Sequence, residues 1–292
     1  MQSDQPWGVA PPGYRLPPET RPGAVRLQVA DLARSLAYYE RVLGLRVLAR
    51  GEGEAVLAPH GEDAVLVELR ERPGAAPAPP RGRPGLFHFA VLLPERAALG
   101  RFVRHLAESG VAAGASDHLV SEALYLTDPD GLGIEVYADR PRERWRSRGG
   151  ELRMDTLPLD LRALSAAGGG EAWAGMPAGT RIGHVHLHVG DLERASAFYH
   201  DGLGLDRTVW SYPGALFLSA GGYHHHLGVN TWAASAEPAG EGDARLLEWE
   251  LLLPSAEEVR RALESLRTAG AAVEEDGVAR DPWGTAVRLR AG

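Results

Sequence analysis

Residues 25–29 alternate apolar and polar side chains as Val-Arg-Leu-Gln-Val, the period of two that a strand with one buried face imposes. Asp31 follows, placed to cap a helix that carries Leu32, Leu36 and Tyr39 on one side and that Gly44 stops. Short apolar runs at 46–49, 55–58 and 64–69, divided by Gly and Pro, predict further strands. The plan then returns, with a strand over 86–93, a helix over 96–109 that ends at Gly110, and strands near 124–127 and 133–137.

Repetition at longer range is explicit. The segment from Val29 to Leu45 recurs from Val189 to Leu205, an offset of 160, with nine of seventeen positions identical, more than chance produces. Pro94 to Val111 matches Pro254 to Ala271 at the same offset, and an Asp-Pro-x-Gly turn at Asp128 has its counterpart at Asp281. The 292 residues suffice for two domains at about 100–200 residues each, and the repeat sharpens that to four modules of strand, helix and several strands. The expected division is an N-terminal extension 1–22, a first domain 23–140, an Arg- and Gly-rich linker 141–180 with a short helix near 157–166, and a second domain 181–292.

Composition narrows the function. Hydrophobic residues make up 44% and charged residues 24%, ordinary for a soluble globular chain. No segment approaches the roughly 18 consecutive apolar residues of a membrane span, and residues 1–22 lack an apolar signal core, so a cytoplasmic protein without a membrane role is expected. The net charge of −8 opposes phosphate backbones, and no nucleic-acid partner is expected. With no cysteine, disulfides, thiolate nucleophiles, cysteine-held zinc and iron–sulfur clusters are excluded, so any metal must rest on His, Asp or Glu. Seven of the eleven histidines fall between His184 and His226. Strand alternation puts His184, His186 and His188 on one face and Val185, Leu187 and Val189 on the other.

Strand, then Asp-Leu-x-Arg-x-x-x-Phe/Tyr-Tyr, then Leu-Gly-Leu, with Asp-Pro-x-Gly closing each half, resembles the vicinal oxygen chelate superfamily of glyoxalases, bleomycin-resistance proteins and extradiol dioxygenases. The resemblance covers nearly the whole chain and implies an α+β fold of four βαβββ modules forming two half-open barrels that cup a metal or ligand. It also implies ligands from the first strand of one module, the first strand of its partner and the last strand of that partner. The first-strand positions hold Ala24, His88, His184 and Glu248, and the last-strand positions of modules two and four hold Glu135 and Arg288. Pairing in chain order leaves both sets incomplete. Pairing module two with module three gives His88, Glu135 and His184, two imidazoles and a carboxylate in a facial set that leaves non-haem Fe(II) open to substrate and dioxygen. A lone strand histidine is more often a core residue, but three suitable residues at three aligned positions reverse that weighting. Modules one and four would keep Ala24, Glu248 and Arg288, a set expected to hold no metal. The pairing could form within one chain or between copies in a homo-oligomer.

The stretch 117–135 resembles the extradiol signature, which implies that Tyr125, ten residues before Glu135, bonds a catecholate oxygen and that His118 contacts substrate. The interval from His118 to Tyr125 is shorter than the family's pattern. Residues 223–232 read as the last strand of module three, where the resemblance implies an acid–base histidine. Alternation there leaves His224, His226, Gly228 and Asn230 on the pocket face and turns His225 toward the helix with Leu227 and Val229. His224 or His226 is therefore expected as the acid–base residue, with His186, His188 and Asn230 lining the substrate pocket. The implied function is a catechol 2,3-type extradiol dioxygenase acting on a small aromatic diol and O2, with Fe(II) as cofactor and Mn(II), Zn(II) or Ni(II) as alternatives. Two other readings stay open: a metal-dependent isomerase or transferase, and a binding or resistance protein that holds an aromatic ligand among Trp210, Trp232 and Trp249. Asp31 and Asp191 are expected as helix caps, and Arg140, Arg142 and Arg144 as a solvated linker face anchored by Trp145.

Overall fold

A computed structural model of the chain describes residues 7–292, so the first six residues of the expected N-terminal extension lie outside the described part. The protein is α+β, with two βαβββ-like domains. Module one runs through the strand Arg21–Val29, the helix Leu32–Tyr38 and the strands Arg46–Gly51, Glu54–Ala58 and Val67–Glu71. Module two has the strand Gly85–Leu92, the helix Arg96–Ser109 and the strands Gly114–Asp117, Ser121–Thr127 and Gly133–Asp139. Module three has Arg181–His188, the helix Leu192–Ser196 and the strands Asp206–Val209, Ala215–Ser219 and Leu227–Asn230. Module four has Arg245–Leu253, the helix Ala256–Thr268 and the strands Val278–Arg280 and Ala286–Ala291; a single bridge from Val273 to Ala279 stands where the other modules form another strand. The linker contributes a two-stranded ribbon and the helix Leu161–Ala167.

The modules pair crosswise within one chain. Arg21–Val29 lies antiparallel to Arg245–Leu253, joining modules one and four in a seven-stranded sheet. Gly85–Leu92 lies antiparallel to Arg181–His188, joining modules two and three in an eight-stranded sheet. Of the two half-open barrels expected, one is seen, formed by the seven-stranded sheet. The eight-stranded sheet ends in the edge strands Asp206–Val209 and Gly114–Asp117.

Neighbouring modules in the chain are tied by a repeated polar contact. The Tyr39 hydroxyl of module one donates to Asp128 of module two at 3.2 Å, and the equivalent Tyr199 of module three donates to Asp281 of module four at 3.0 Å. Each aspartate also organises its own turn, accepting the backbone N–H groups of residues two and four positions on. Asp31 and Asp191 accept the N–H groups of Arg34 and Arg194 as N-caps. The apolar strand faces, including Phe89, Val91, Ile134, Val136, Val185 and Leu187, pack with the helices into one core that spans both halves. Burying that face turns the alternate, polar residues of the same strands toward the concave side, where the chemistry lies.

Candidate metal centre

The register of the eight-stranded sheet places His184 opposite Ala90, Ala90 beside Glu135, and Glu135 opposite Tyr125. Adjacent strands are about 4.8 Å apart, so the long side chains of His184 and Glu135 can meet over the methyl group of Ala90. His88, two residues before Ala90 on the same face, completes the group. Ligand atoms of His88, Glu135 and His184 all lie within 4.8 Å of one another, and all three residues are buried. Glu135 Oε2 is 3.0 Å from His88 Nε2 and 3.2 Å from His184 Nε2. Adjacent ligands on an octahedral ion at about 2.1 Å lie about 3.0 Å apart, so these spacings suit a divalent metal. His88 Nε2 is buried and its 3.0 Å contact with Glu135 lacks hydrogen-bond geometry, a state that otherwise costs about 1–3 kcal/mol. Burial lowers the His184 imidazole to about 4, keeping it neutral with one ring nitrogen's lone pair available. Burial alone would raise the Glu135 carboxyl, but the two imidazoles outweigh it and hold the group ionised. The donor set therefore fits a divalent cation.

Around the triad the polar groups are fixed by their partners. His118 Nδ1 donates to the Asp155 carbonyl at 2.7 Å, which leaves Nε2 to accept from the Tyr125 hydroxyl at 2.5 Å. Burial, reinforced by the Glu135 charge, raises the Tyr125 phenol far above its ordinary range and keeps it protonated. Asn230 accepts from His188 Nδ1 at 2.6 Å and donates to His186 Nε2 at 3.0 Å. Phe87 packs edge-on against His186 and Trp232 and also contacts His88.

The histidine run departs from its expected geometry. The strand begins only at Leu227, so alternation does not reach 224–226, and the turn carries His225 into the cup. The His225 ring lies 4.1 Å from that of His184, centroid to centroid. His224 stands behind it, with Nε2 3.0 Å from Asp139 Oδ1 and Nδ1 2.7 Å from His225 Nδ1. His226 points away, toward Ser219 and the Ala220 N–H, and stacks on Tyr223. Gly221 and Gly222, both with positive φ, are the sequence signal that a turn rather than a strand precedes this run.

The other expected clusters resolve differently. Trp249 is fully buried in the core and Trp210 is an exposed residue away from the cup, so of the three tryptophans only Trp232 borders the site. In the seven-stranded sheet, Arg288 grips Glu248 through two hydrogen bonds of 2.8 and 3.0 Å, and Arg26 adds a contact at 2.9 Å. That carboxylate is saturated by guanidinium groups. Trp145 is buried, donates to the Arg140 carbonyl and anchors the linker. Arg140 pairs with Asp117 at 2.6 Å, so it is not a free solvated charge.

A fold of paired βαβββ-like modules with a buried group of two histidines and one glutamate makes a site compatible with a divalent metal ion. The chain belongs to the Glyoxalase/Bleomycin resistance protein/Dioxygenase superfamily, whose profile matches residues 21–136 and 181–289. It is 45% identical over 261 residues to catechol-2,3-dioxygenase from Bacillus subtilis (strain 168), covering 88% of this chain and 91% of that protein. Among solved structures, a candidate dioxygenase from Bacillus subtilis subsp. subtilis str. 168 superposes with a TM-score of 0.64 at 13% identity, covering 94% of this chain and 86% of the other. Glyoxalase I from Zea mays superposes with a TM-score of 0.54 at 18% identity, covering 94% and 92%. These structural likenesses establish the fold. Among the described residues no helix is long and apolar enough to cross a membrane.

Proposed function

We propose that the protein is an extradiol dioxygenase that cleaves a catechol-type ring beside its diol and incorporates both atoms of O2, with Fe(II) held by His88, Glu135 and His184. The observation that carries this reading is the buried triad of two histidines and one glutamate in a chain 45% identical to a catechol-2,3-dioxygenase. Fe(II), when bound, would supply open positions for the diol and dioxygen and pass electron density between them. Mn(II), Zn(II) and Ni(II) fit the same donors.

The remaining chemistry falls to the side chains. Because the Tyr125 hydroxyl donates its hydrogen bond to His118, its oxygen lone pairs are free to accept a hydrogen bond from a substrate hydroxyl. His224 Nε2–H donates to Asp139 Oδ1, so His224 Nδ1 accepts from His225 Nδ1 and the lone pair of His225 sits on Nε2. His225 is thus the acid–base residue in this reading, while His224 orients it and His226 packs behind. Phe87 and Trp232 border an aromatic slot beside His88, and Asn230 fixes the orientations of His186 and His188. The eight-stranded sheet serves as the second half-open barrel, and the domains divide near 140 and 181. The reading is of a cytoplasmic enzyme.

The test is anaerobic reconstitution with Fe(II), addition of catechol, and admission of air. A yellow ring-opened product with one O2 consumed per ring supports the proposal. No product with Fe(II), or equal turnover with redox-inert Zn(II), refutes it and favours isomerase-type chemistry.

A further inference from the structure

His88 of the triad lines a cavity of about 600 Å3 that also takes in the aromatic rings of Phe87 and Trp232, Tyr125 and His188. No Asp or Glu lines it, but two arginines do, Arg81 and Arg83. Arg83 is neutralised by Asp243 at 2.5 Å. Arg81 has no carboxylate partner among the described residues and is exposed at the rim, whereas His88 is buried at the inner end. In a chain of net charge −8, the mouth of this cavity therefore carries a local uncompensated positive charge.

The loop that presents Arg81 is built to hold it there. The Gly82 N–H donates to the Pro79 carbonyl at 2.8 Å, a β-turn with Pro80 and Arg81 at its centre. Proline at the second position presets that turn. Gly82, at φ 72°, lies so close to His188 that a Cβ would fall 2.5 Å from His188 Nε2, which seats the turn against the cup. On either side, Ala78 N–H bonds the Asp130 carbonyl at 2.8 Å and Arg83 is pinned to Asp243. The braced turn fixes where the Arg81 backbone stands at the mouth, and the guanidinium fork matches a carboxylate.

We infer that Arg81 is a specificity-determining residue and that the preferred substrates are catechols carrying a carboxylate on a short side chain. The diol end would lie toward His88 and Tyr125, the ring beside Phe87 and Trp232, and the side-chain carboxylate at Arg81. This inference rests on the ring-cleaving reading for its substrate class, and its test separates the two.

The probes are 3,4-dihydroxyphenylacetate and the uncharged 4-ethylcatechol, compared in the metal-loaded wild type, Arg81→Gln and Arg81→Glu. The readout is the ratio of kcat/KM for the acid over the neutral probe, in which any loss common to both substrates cancels. A wild-type ratio of about ten or more is expected, the scale of a charge-assisted hydrogen bond at a partly open site. It should fall about tenfold in Arg81→Gln, fall further in Arg81→Glu, and shrink with added salt. Anaerobic calorimetric titration of the same probes reads the ratio in Kd without turnover. A binding preference that depends on Arg81 upholds the inference even if no ring is cleaved, in which case only the reaction assignment fails. A wild-type ratio near one, or a ratio indifferent to Arg81, overturns the inference even if both rings are cleaved.

Discussion

The Asp128 carboxyl is 4% exposed and accepts from the Asp130 N–H at 2.9 Å, the Leu132 N–H at 2.8 Å and the Tyr39 hydroxyl at 3.2 Å. Burial raises its pKa from 3.8 to about 6, the nearby Asp130 charge adds to the rise, and the three donors oppose it. The folded state thus binds this proton more tightly than the unfolded chain. Its contribution to stability is fully present below about 3.8 and is lost as pH climbs through about 6. At about 1.4 kcal/mol per tenfold change in proton affinity, the loss amounts to about 3 kcal/mol. Asp128→Asn keeps an oxygen acceptor but cannot titrate. Urea unfolding of metal-free wild type and variant, from about pH 4 to about pH 7.5, removes the other titrating groups from the difference. The variant should gain about 2 kcal/mol relative to wild type across that range, most of it between about pH 4 and pH 6. A constant difference, or a wild type that gains on the variant as pH rises, would show that the three donors win over burial and refute the reasoning.

Other outcomes follow from the same geometry. Tyr125→Phe should lower kcat/KM for catechol by about ten- to a hundredfold with metal content unchanged, because one hydrogen bond to the substrate is lost. Gly183→Ala puts a Cβ 1.8 Å from the Tyr137 hydroxyl and should cost about 1–3 kcal/mol in chemical denaturation, partly recovered by adding Tyr137→Phe. Glu248→Ala leaves Arg288 and Arg26 half-buried without their shared partner and should destabilise by about 1–3 kcal/mol, less than a fully buried pair, while metal content holds.

The parts of the fold that depend on local pattern were legible in the sequence. The helix Arg96–Ser109 follows its periodicity residue for residue, and the caps Asp31 and Asp191 sit where their chemistry requires. The crossed pairing could be inferred because His88, Glu135 and His184 form a complete set that neither half has alone, and the sheet register joins the strands accordingly. What depends on tertiary context was harder to see. The strand Gly114–Asp117, Gly-Ala-Ser-Asp, has no apolar alternation and exists through its pairing with Ser121–Thr127. Alternation mispredicts the face of His225 because the strand starts only at Leu227 and the preceding residues form a turn, where side-chain direction follows individual dihedrals. Asp139 and the Asp155 carbonyl, which orient His224 and His118, carry no motif that marks them. Trp249 went to the core because its strand position faces the helices rather than the cup.

The central claim is that one divalent metal is held jointly by the two halves of the chain. Iron content after anaerobic Fe(II) loading and desalting tests it directly, in wild type, His88→Ala, Glu135→Ala, His184→Ala and Glu248→Ala, each checked for folding by circular dichroism. The account predicts a single Fe(II) per chain in wild type and Glu248→Ala and no stoichiometric iron in the three triad variants. Iron retained in folded His88→Ala but lost in Glu248→Ala would contradict it, placing the metal on His184 and Glu248 within the second half.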